Sequence, residues 1–175
     1  MKKLVITSLL LSLTFLNSCK KKEETAVTGT DTTTETPASE TPTTAEPKTF
    51  TVTATPETAS LGKEKQLTLK ITNLKAIELS NADGAVTGIE LSYDYAATNN
   101  GKIGSSGIVV DPNDFRLELD NGTKISHTDY DSGSVDAEST TTVTGNKFTI
   151  PAGAKPVSLN LFYDETRAVV KVDLK

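Results

Sequence analysis

The sequence of 175 residues predicts an all-β fold: an Ig-like antiparallel β-sandwich of about seven to nine strands, over residues 50–175, after a disordered tether. Apolar and polar residues alternate in six separate stretches, a period typical of strands with one buried face and one solvated face. Turns rich in Asn, Asp and Gly separate these stretches. No stretch of comparable strength repeats at the helical period of about 3.6 residues.

The alternation defines the strands in chain order. Tyr93 and Tyr95 share a strand face with Ile89 and Leu91, so we expect both tyrosine rings to lie in the core. The sequence Asp-Pro-Asn-Asp at residues 111–114 predicts an Asx-type cap immediately before the next strand. The six predicted strands cover residues 50–54, 67–71, 89–95, 115–119, 157–163 and 168–174.

Two sequences predict hairpins. Asp-Asn-Gly at residues 120–122 is a strong turn signal between the strand that ends at residue 119 and residues 123–126. Gly-Asn at residues 145–146 predicts a second hairpin, whose strands are residues 140–144 and 147–150.

The N-terminus has the pattern of a signal peptide. Met1-Lys2-Lys3 is a short positive segment, and an apolar run follows from residue 4 to residue 16. A transmembrane helix needs about 20 apolar residues to cross the hydrocarbon core of a bilayer, so this run is too short to span it. We therefore interpret residues 1–18 as a signal peptide.

The end of the apolar run resembles a bacterial lipobox. Leu16-Asn17-Ser18-Cys19 places a large aliphatic residue and a small residue before the only cysteine of the chain. The resemblance implies cleavage before Cys19 and acylation of its thiol and its new amino group, with palmitate among the attached chains. Two or more acyl chains give a stable membrane anchor, so we expect a lipoprotein of the bacterial cell envelope, held in the outer membrane.

Residues 19–49 comprise the lipidated cysteine and a tether rich in Thr, Pro and Glu. The tether lacks Leu, Ile, Met and aromatic residues after Cys19, so it cannot bury enough apolar surface to fold. Lys-Lys-Lys-Glu-Glu at residues 20–24 resembles the surface-export signals of some lipoproteins, and it also fits a linker whose lysines contact anionic lipid headgroups. The threonine content permits O-glycosylation.

A second resemblance covers residues 66–175. Three pieces carry it: the strand at residues 88–97 followed by Asn-Asn-Gly, the sequence Asp-Phe-Arg-Leu-Glu-Leu-Asp-Asn-Gly at residues 114–122, and Phe-Thr-Ile-Pro-Ala-Gly-Ala-Lys at residues 148–155. Together they resemble a small Ig-like domain of unknown function that follows the lipobox in many bacterial lipoproteins. The resemblance implies a fold and a compartment, and it implies no catalytic residues.

Composition excludes several functional classes. The formal net charge is −5, which is unfavourable for a nucleic-acid-binding protein. One cysteine excludes a disulfide framework. The single histidine, His127, has no Gly-x-Ser-x-Gly nucleophile elbow to serve, and we expect it to be a surface or half-buried structural residue. The chain is therefore not expected to be an enzyme.

An acidic segment offers a candidate calcium site. Asp129, Asp131, Asp136 and Glu138 lie within ten residues of each other on a predicted loop, and calcium prefers six to eight oxygen ligands from such groups. The alternative interpretation is a solvated turn, because loops are enriched in Asp and Gly for reasons of backbone conformation.

Phe162 is the candidate residue for a ligand-binding patch. Its position in the alternation places it on the strand face opposite Leu159 and Leu161, beside polar neighbours. Its ring is either covered by another part of the chain or exposed as part of a binding surface, for example for a glycan.

These observations lead to one functional expectation and one alternative. We expect an envelope lipoprotein, attached to the membrane through its N-terminal lipid, that presents a non-enzymatic Ig-like domain for binding or structural work. The alternative is a cell-surface module that is stabilised by calcium or that binds glycans. A protein or glycan of the envelope is the expected partner.

Overall fold

A computed structural model describes residues 46–175, so the predictions for the signal peptide, Cys19 and nearly all of the tether lie outside the described residues. The described part contains twelve strands and one short 3-10 helix at Pro112–Asp114. The strands are β1 (Thr49–Phe50), β2 (Val52–Thr55), β3 (Thr58–Leu61), β4 (Leu67–Ser80), β5 (Val86–Asn99), β6 (Ile108–Val110), β7 (Arg116–Leu119), β8 (Lys124–Ile125), β9 (Gly133–Val135), β10 (Thr140–Pro151), β11 (Pro156–Tyr163) and β12 (Thr166–Leu174).

The strands form two antiparallel five-stranded sheets, which confirms the predicted all-β sandwich. In the first sheet, β4, β5 and β10 are neighbours, and β1 and β3 both pair with the outer edge of β4. The second sheet has the order β2-β12-β11-β7-β8. A small pairing of β6 with β9 completes the structure. The strands outnumber the predicted seven to nine for two reasons. The N-terminal segment passes from the first sheet to the second and back, as β1, β2 and β3, where one strand is predicted. The short strands β6 and β9 are not predicted by the alternation.

The inward faces of both sheets form one core. Tyr93 and Tyr95 are buried, as the alternation predicted. The Tyr93 ring stacks on Phe148 with a centroid distance of 6.1 Å, and the Tyr95 ring meets the edge of Phe115 at 6.4 Å. Aromatic pairs at such distances stabilise a core beyond their buried area, by about 0.5–1.5 kcal/mol each. The four rings therefore join β5 and β10 of the first sheet to the chain that enters β7 of the second.

Five of the six predicted strands are present as single strands, and the sixth, at residues 50–54, is divided into β1 and β2 in different sheets. The hairpin at residues 120–122 is confirmed as the connection between β7 and β8. The cap before β7 is confirmed as well, because an Asp111 carboxylate oxygen accepts a hydrogen bond from the Asn113 N–H at 2.9 Å. The prediction of a hairpin at residues 145–146 is wrong. β10 runs without interruption through these residues, and the Gly-Asn sequence forms a β-bulge instead of a turn.

The bulge in β10 is one half of a paired distortion around Asp94 of β5. Both neighbours of β5 carry an extra residue beside Asp94. β4 shifts register between Thr72, the partner of Asp94, and Lys75, and β10 shifts register opposite Asp94, between Val143 and Asn146. Asn73 and Gly145 adopt positive φ angles of 53° and 84° in these bulges. We call this feature the double bulge.

The Asp94 carboxylate holds the double bulge together. Asn73 donates its side-chain N–H to one carboxylate oxygen at 2.6 Å, and the Gly145 backbone N–H donates to the other at 3.0 Å. The sequence around Gly145 predicts a hairpin turn because a glycine with positive φ occurs both in hairpin turns and in β-bulges. The long-range partner Asp94 decides between the two conformations, and local sequence does not contain it.

Asp94→Ala should destabilise the fold. The substitution removes both hydrogen bonds to a charged acceptor. We expect the free energy of unfolding to fall by about 1–2 kcal/mol, which is less than the loss at a fully buried carboxylate, because Asp94 is half-buried. Urea denaturation measures this loss. Asp83→Ala, in the exposed turn between β4 and β5, is the matched control and should change stability by less than about 0.5 kcal/mol. Equal effects of the two substitutions would contradict the role of Asp94.

Candidate functional site

Cys19 and the lipobox lie outside the described residues, so lipidation stays a prediction. Between residues 46 and 175, no helix is long and apolar enough to cross a membrane.

The four carboxylates of the candidate calcium site lie in a segment where the backbone does most of the bonding. Asp129 pairs through its backbone with Lys147 of β10, and the Asp131 carbonyl accepts from the Tyr95 hydroxyl at 3.4 Å. The Asp136 carbonyl accepts from the Ser139 hydroxyl at 2.7 Å.

Glu138 is the one acidic side chain of the segment that takes part in a hydrogen bond. Its carboxylate accepts from the Ile103 backbone N–H at 3.4 Å, and its own backbone N–H donates to the Asn99 carbonyl at 3.0 Å. Within the described part of the chain, no three His, Cys, Asp or Glu side chains are grouped so that they could hold a metal ion. The contacts fit the interpretation as a structural turn, and calcium binding stays a hypothesis.

His127 lies half-buried in an aromatic environment. Its ring stacks on Phe148 with a centroid distance of 3.9 Å, and its Nε2 atom lies 2.8 Å from the Tyr93 hydroxyl. Burial lowers the pKa of His127 to about 4, with a smaller lowering by the Arg116 charge, against the opposing effects of the Pro112 carbonyl and the Asp111 carboxylate. The Nδ1 atom has no hydrogen-bond partner among residues 46–175.

The Tyr93 hydroxyl and the His127 imidazole are both neutral at pH 7. Burial raises the pKa of Tyr93 well above its usual value and lowers that of His127 to about 4. The two groups share one hydrogen bond, and the tautomer of the imidazole decides which atom donates. This bond and the stack on Phe148 hold the His127 ring in place among the aromatic side chains.

Stability should fall as the pH is lowered from 7 to 5.5. In the unfolded chain His127 takes a proton near its ordinary pKa of about 6.5, whereas in the folded state its pKa is about 4, so acid favours unfolding between these values. We expect a loss of about 0.5–1 kcal/mol, after allowance for the solvent-exposed part of the ring.

Urea unfolding at both pH values measures this loss, and His127→Phe is the matched variant. It keeps a ring over Phe148 but cannot titrate, so its stability should change less between the two pH values. Its overall stability is expected to be lower because Tyr93 loses its hydrogen-bond partner. A pH dependence that is the same in both proteins would contradict the assignment.

A shallow depression of about 280 Å³ lies on the outer face of the second sheet. We call it the arginine depression, because the chain contains two arginines and both line it. Its residues come from the 3-10 helix and from four neighbouring strands: Asp114, Arg116, Lys124, Asn160, Leu161, Phe162 and Arg167.

Strand pairing brings these residues together. On the outer face of the second sheet, Phe162 of β11 is paired with Arg167 of β12, and Asn160 of β11 is paired with Arg116 of β7. The Arg167 guanidinium carbon lies 5.9 Å from the centre of the Phe162 ring, within the range of a cation–π contact. The ring is half-buried on the outer surface, and the inward neighbour Leu161 is fully buried.

Backbone carbonyls orient the Arg116 side chain. Its Nη1 atom donates to the Phe115 carbonyl at 2.7 Å and also to the Asn113 carbonyl, both beside the 3-10 helix. Among the described residues, neither Arg116 nor Arg167 forms an ion pair with a carboxylate, whereas Lys124 pairs with Glu118 at 3.5 Å. The positive charge of each guanidinium group is therefore not neutralised by a carboxylate of the described residues and can attract an anion.

Sequence reasoning found Phe162 but missed the two arginines. The sequence does contain the signal for their orientation, because alternation with Leu117 and Ala168 places Arg116 and Arg167 on outward strand faces. The order of strands, which makes β7 and β12 the two neighbours of β11, is a long-range property with no local signature.

The chain was compared with protein-family models, with curated proteins and with solved structures. No family model, no curated protein and no solved structure matches it.

Proposed function

We propose that this chain is a lipid-anchored lipoprotein of the bacterial envelope, which presents its β-sandwich as a non-enzymatic domain for binding or structural work. The observation that carries the proposal is Leu16-Asn17-Ser18-Cys19, directly after a short apolar run and containing the only cysteine of the chain. A thiol at that position is the one nucleophile able to accept a lipid from the lipobox reaction.

The tether supports presentation at a distance from the membrane. A coil of about thirty residues has an end-to-end distance of roughly 30 Å, which is comparable to the thickness of a hydrocarbon core. The folded domain would then reach partners beyond the lipid headgroups.

The surroundings of His127 support a non-enzymatic function. The single histidine of the chain shares a hydrogen bond with Tyr93 and stacks on Phe148, which are the contacts of a packed structural residue. The arginine depression, by contrast, presents charged groups on an open surface. Such a surface favours binding over catalysis.

The arginine depression supports one of the two forms of the alternative function. It groups Phe162 with two unpaired cations, which favours a glycan-binding module. The carboxylates of the acidic segment are not grouped around one point in the described structure, so the calcium-stabilised form has less support.

Metabolic labelling tests the lipid anchor. Bacteria that express the full chain are grown with an alkyne analogue of palmitate, and we expect label on the wild-type protein and its recovery in the membrane fraction. Cys19→Ser preserves side-chain size and should abolish the label, while Ser18→Ala, which keeps a small residue before the cysteine, should retain it. Label that persists in Cys19→Ser, or its absence from wild-type protein, would overturn the proposed anchor.

A further inference from the structure

We propose that the arginine depression binds an acidic polysaccharide, a sugar chain with repeated carboxylate groups. The inference deepens the proposed function and rests on the domain being a binding module. It is drawn from four features of the depression: positive charge without a carboxylate partner, an aromatic ring, a polar amide group and the strand positions of the two arginines.

The charge of the depression is that of an anion-binding site. The chain as a whole carries a net charge of −5, yet its two arginines converge on one small surface and have no carboxylate partner among residues 46–175. The guanidinium fork matches a carboxylate with two parallel hydrogen bonds, which a lysine cannot do. Contacts with the backbone carbonyls of Asn113 and Phe115 orient Arg116 before a ligand arrives, which lowers the entropic cost of binding.

The apolar part of the surface fits the face of a sugar ring. The Phe162 ring carries a negative quadrupole on its faces, which attracts the C–H groups on one side of a pyranose. Val169 of β12, 57% exposed, is the strand neighbour of Asn160 and extends this apolar surface. The Asn160 side chain is paired with Arg116, and its N–H groups already donate to the Ser158 hydroxyl at 3.3 Å and to the Glu118 carboxylate at 3.5 Å, so its carbonyl oxygen is the group that can accept from a sugar hydroxyl.

The strand positions of the arginines favour a ligand with repeated charges. β7 and β12 lie on either side of β11, where Arg116 is paired with Asn160 and Arg167 with Phe162. Their backbone positions are therefore two strands apart and staggered by two residues, roughly 12 Å in all. A chain with carboxylates on successive residues can present one charge to each arginine.

The architecture disfavours an acidic peptide. Extended peptides gain affinity by adding a strand to a free sheet edge. β11, which carries Phe162, pairs with β12 on one side and with β7 on the other, with the 3-10 helix at the end of β7. A peptide would therefore bind through its side chains alone, without a new backbone ladder.

Isothermal titration calorimetry tests the inference with the full mature chain in detergent micelles. The probe is hexagalacturonate, and its fully methyl-esterified form is the matched ligand, which keeps the sugar rings and removes the charges. We expect binding of hexagalacturonate that weakens as salt is raised, and at least about tenfold weaker binding of the ester.

Three variants locate the site. Arg167→Gln should weaken hexagalacturonate binding at least about tenfold, because it removes one of the two guanidinium groups. Asp114→Asn should strengthen binding, because the Asp114 carboxylate lines the depression and repels the ligand. Lys75→Gln removes one exposed positive charge from the first sheet and should leave the affinity within about twofold.

Four outcomes would overturn the inference: no binding of hexagalacturonate at millimolar concentration, equal binding of the ester, no difference between Arg167→Gln and Lys75→Gln, or tighter binding of a hexaglutamate peptide than of hexagalacturonate. The last result would identify an acidic peptide as the ligand class. None of them affects labelling at Cys19, so failure of this inference is distinguishable from failure of the lipoprotein proposal.

Discussion

The alternation of side chains along β11 is the constraint on which the candidate site depends. Leu159 and Leu161 are buried in the core, at 3% and 0% exposure, and this burial forces Asn160 and Phe162 to the outer face of the second sheet. A shift of one residue in the pairing of β11 would exchange the two faces and expose both leucines, at a cost of about 1.5–3 kcal/mol for each side chain. The strand pairing that buries Leu159 and Leu161 therefore also fixes which side chains of β11 lie on the outer face.

The two sheets contribute differently to the molecule. In the first sheet, the double bulge around Asp94 places Tyr93 and Phe148 opposite His127 and joins the segment after β8 to β10 through the stacked rings. The arginine depression lies on the outer face of the second sheet, where no bulge interrupts the pairing of β11 with β12. A regular ladder holds Phe162 and Arg167 side by side.

The local pattern predicts the long strands of the sandwich, but it does not predict the short strands β3, β6 and β9 or the long-range pairing. The period of two predicted the inward Tyr93 and Tyr95 and the outward Phe162, since each depends only on its own strand. Gly145 was assigned to a turn, because its positive φ satisfies a hairpin and a bulge equally well and the deciding partner, Asp94, lies far away in sequence. Arg116 and Arg167 lie on the same surface because of the order of the strands, which no local motif predicts either.

The central claim is that the outer face of the second sheet is the surface with which this domain binds. Chemical-shift mapping by NMR on the isotopically labelled mature chain, titrated with hexagalacturonate, tests it most directly. The account predicts that amide shifts concentrate on Arg116, Asn160, Phe162 and Arg167, and that the outer face of β4 and β5 is unaffected. Shifts that centre on the first sheet or on the acidic segment, or no shifts at saturating probe, would contradict it.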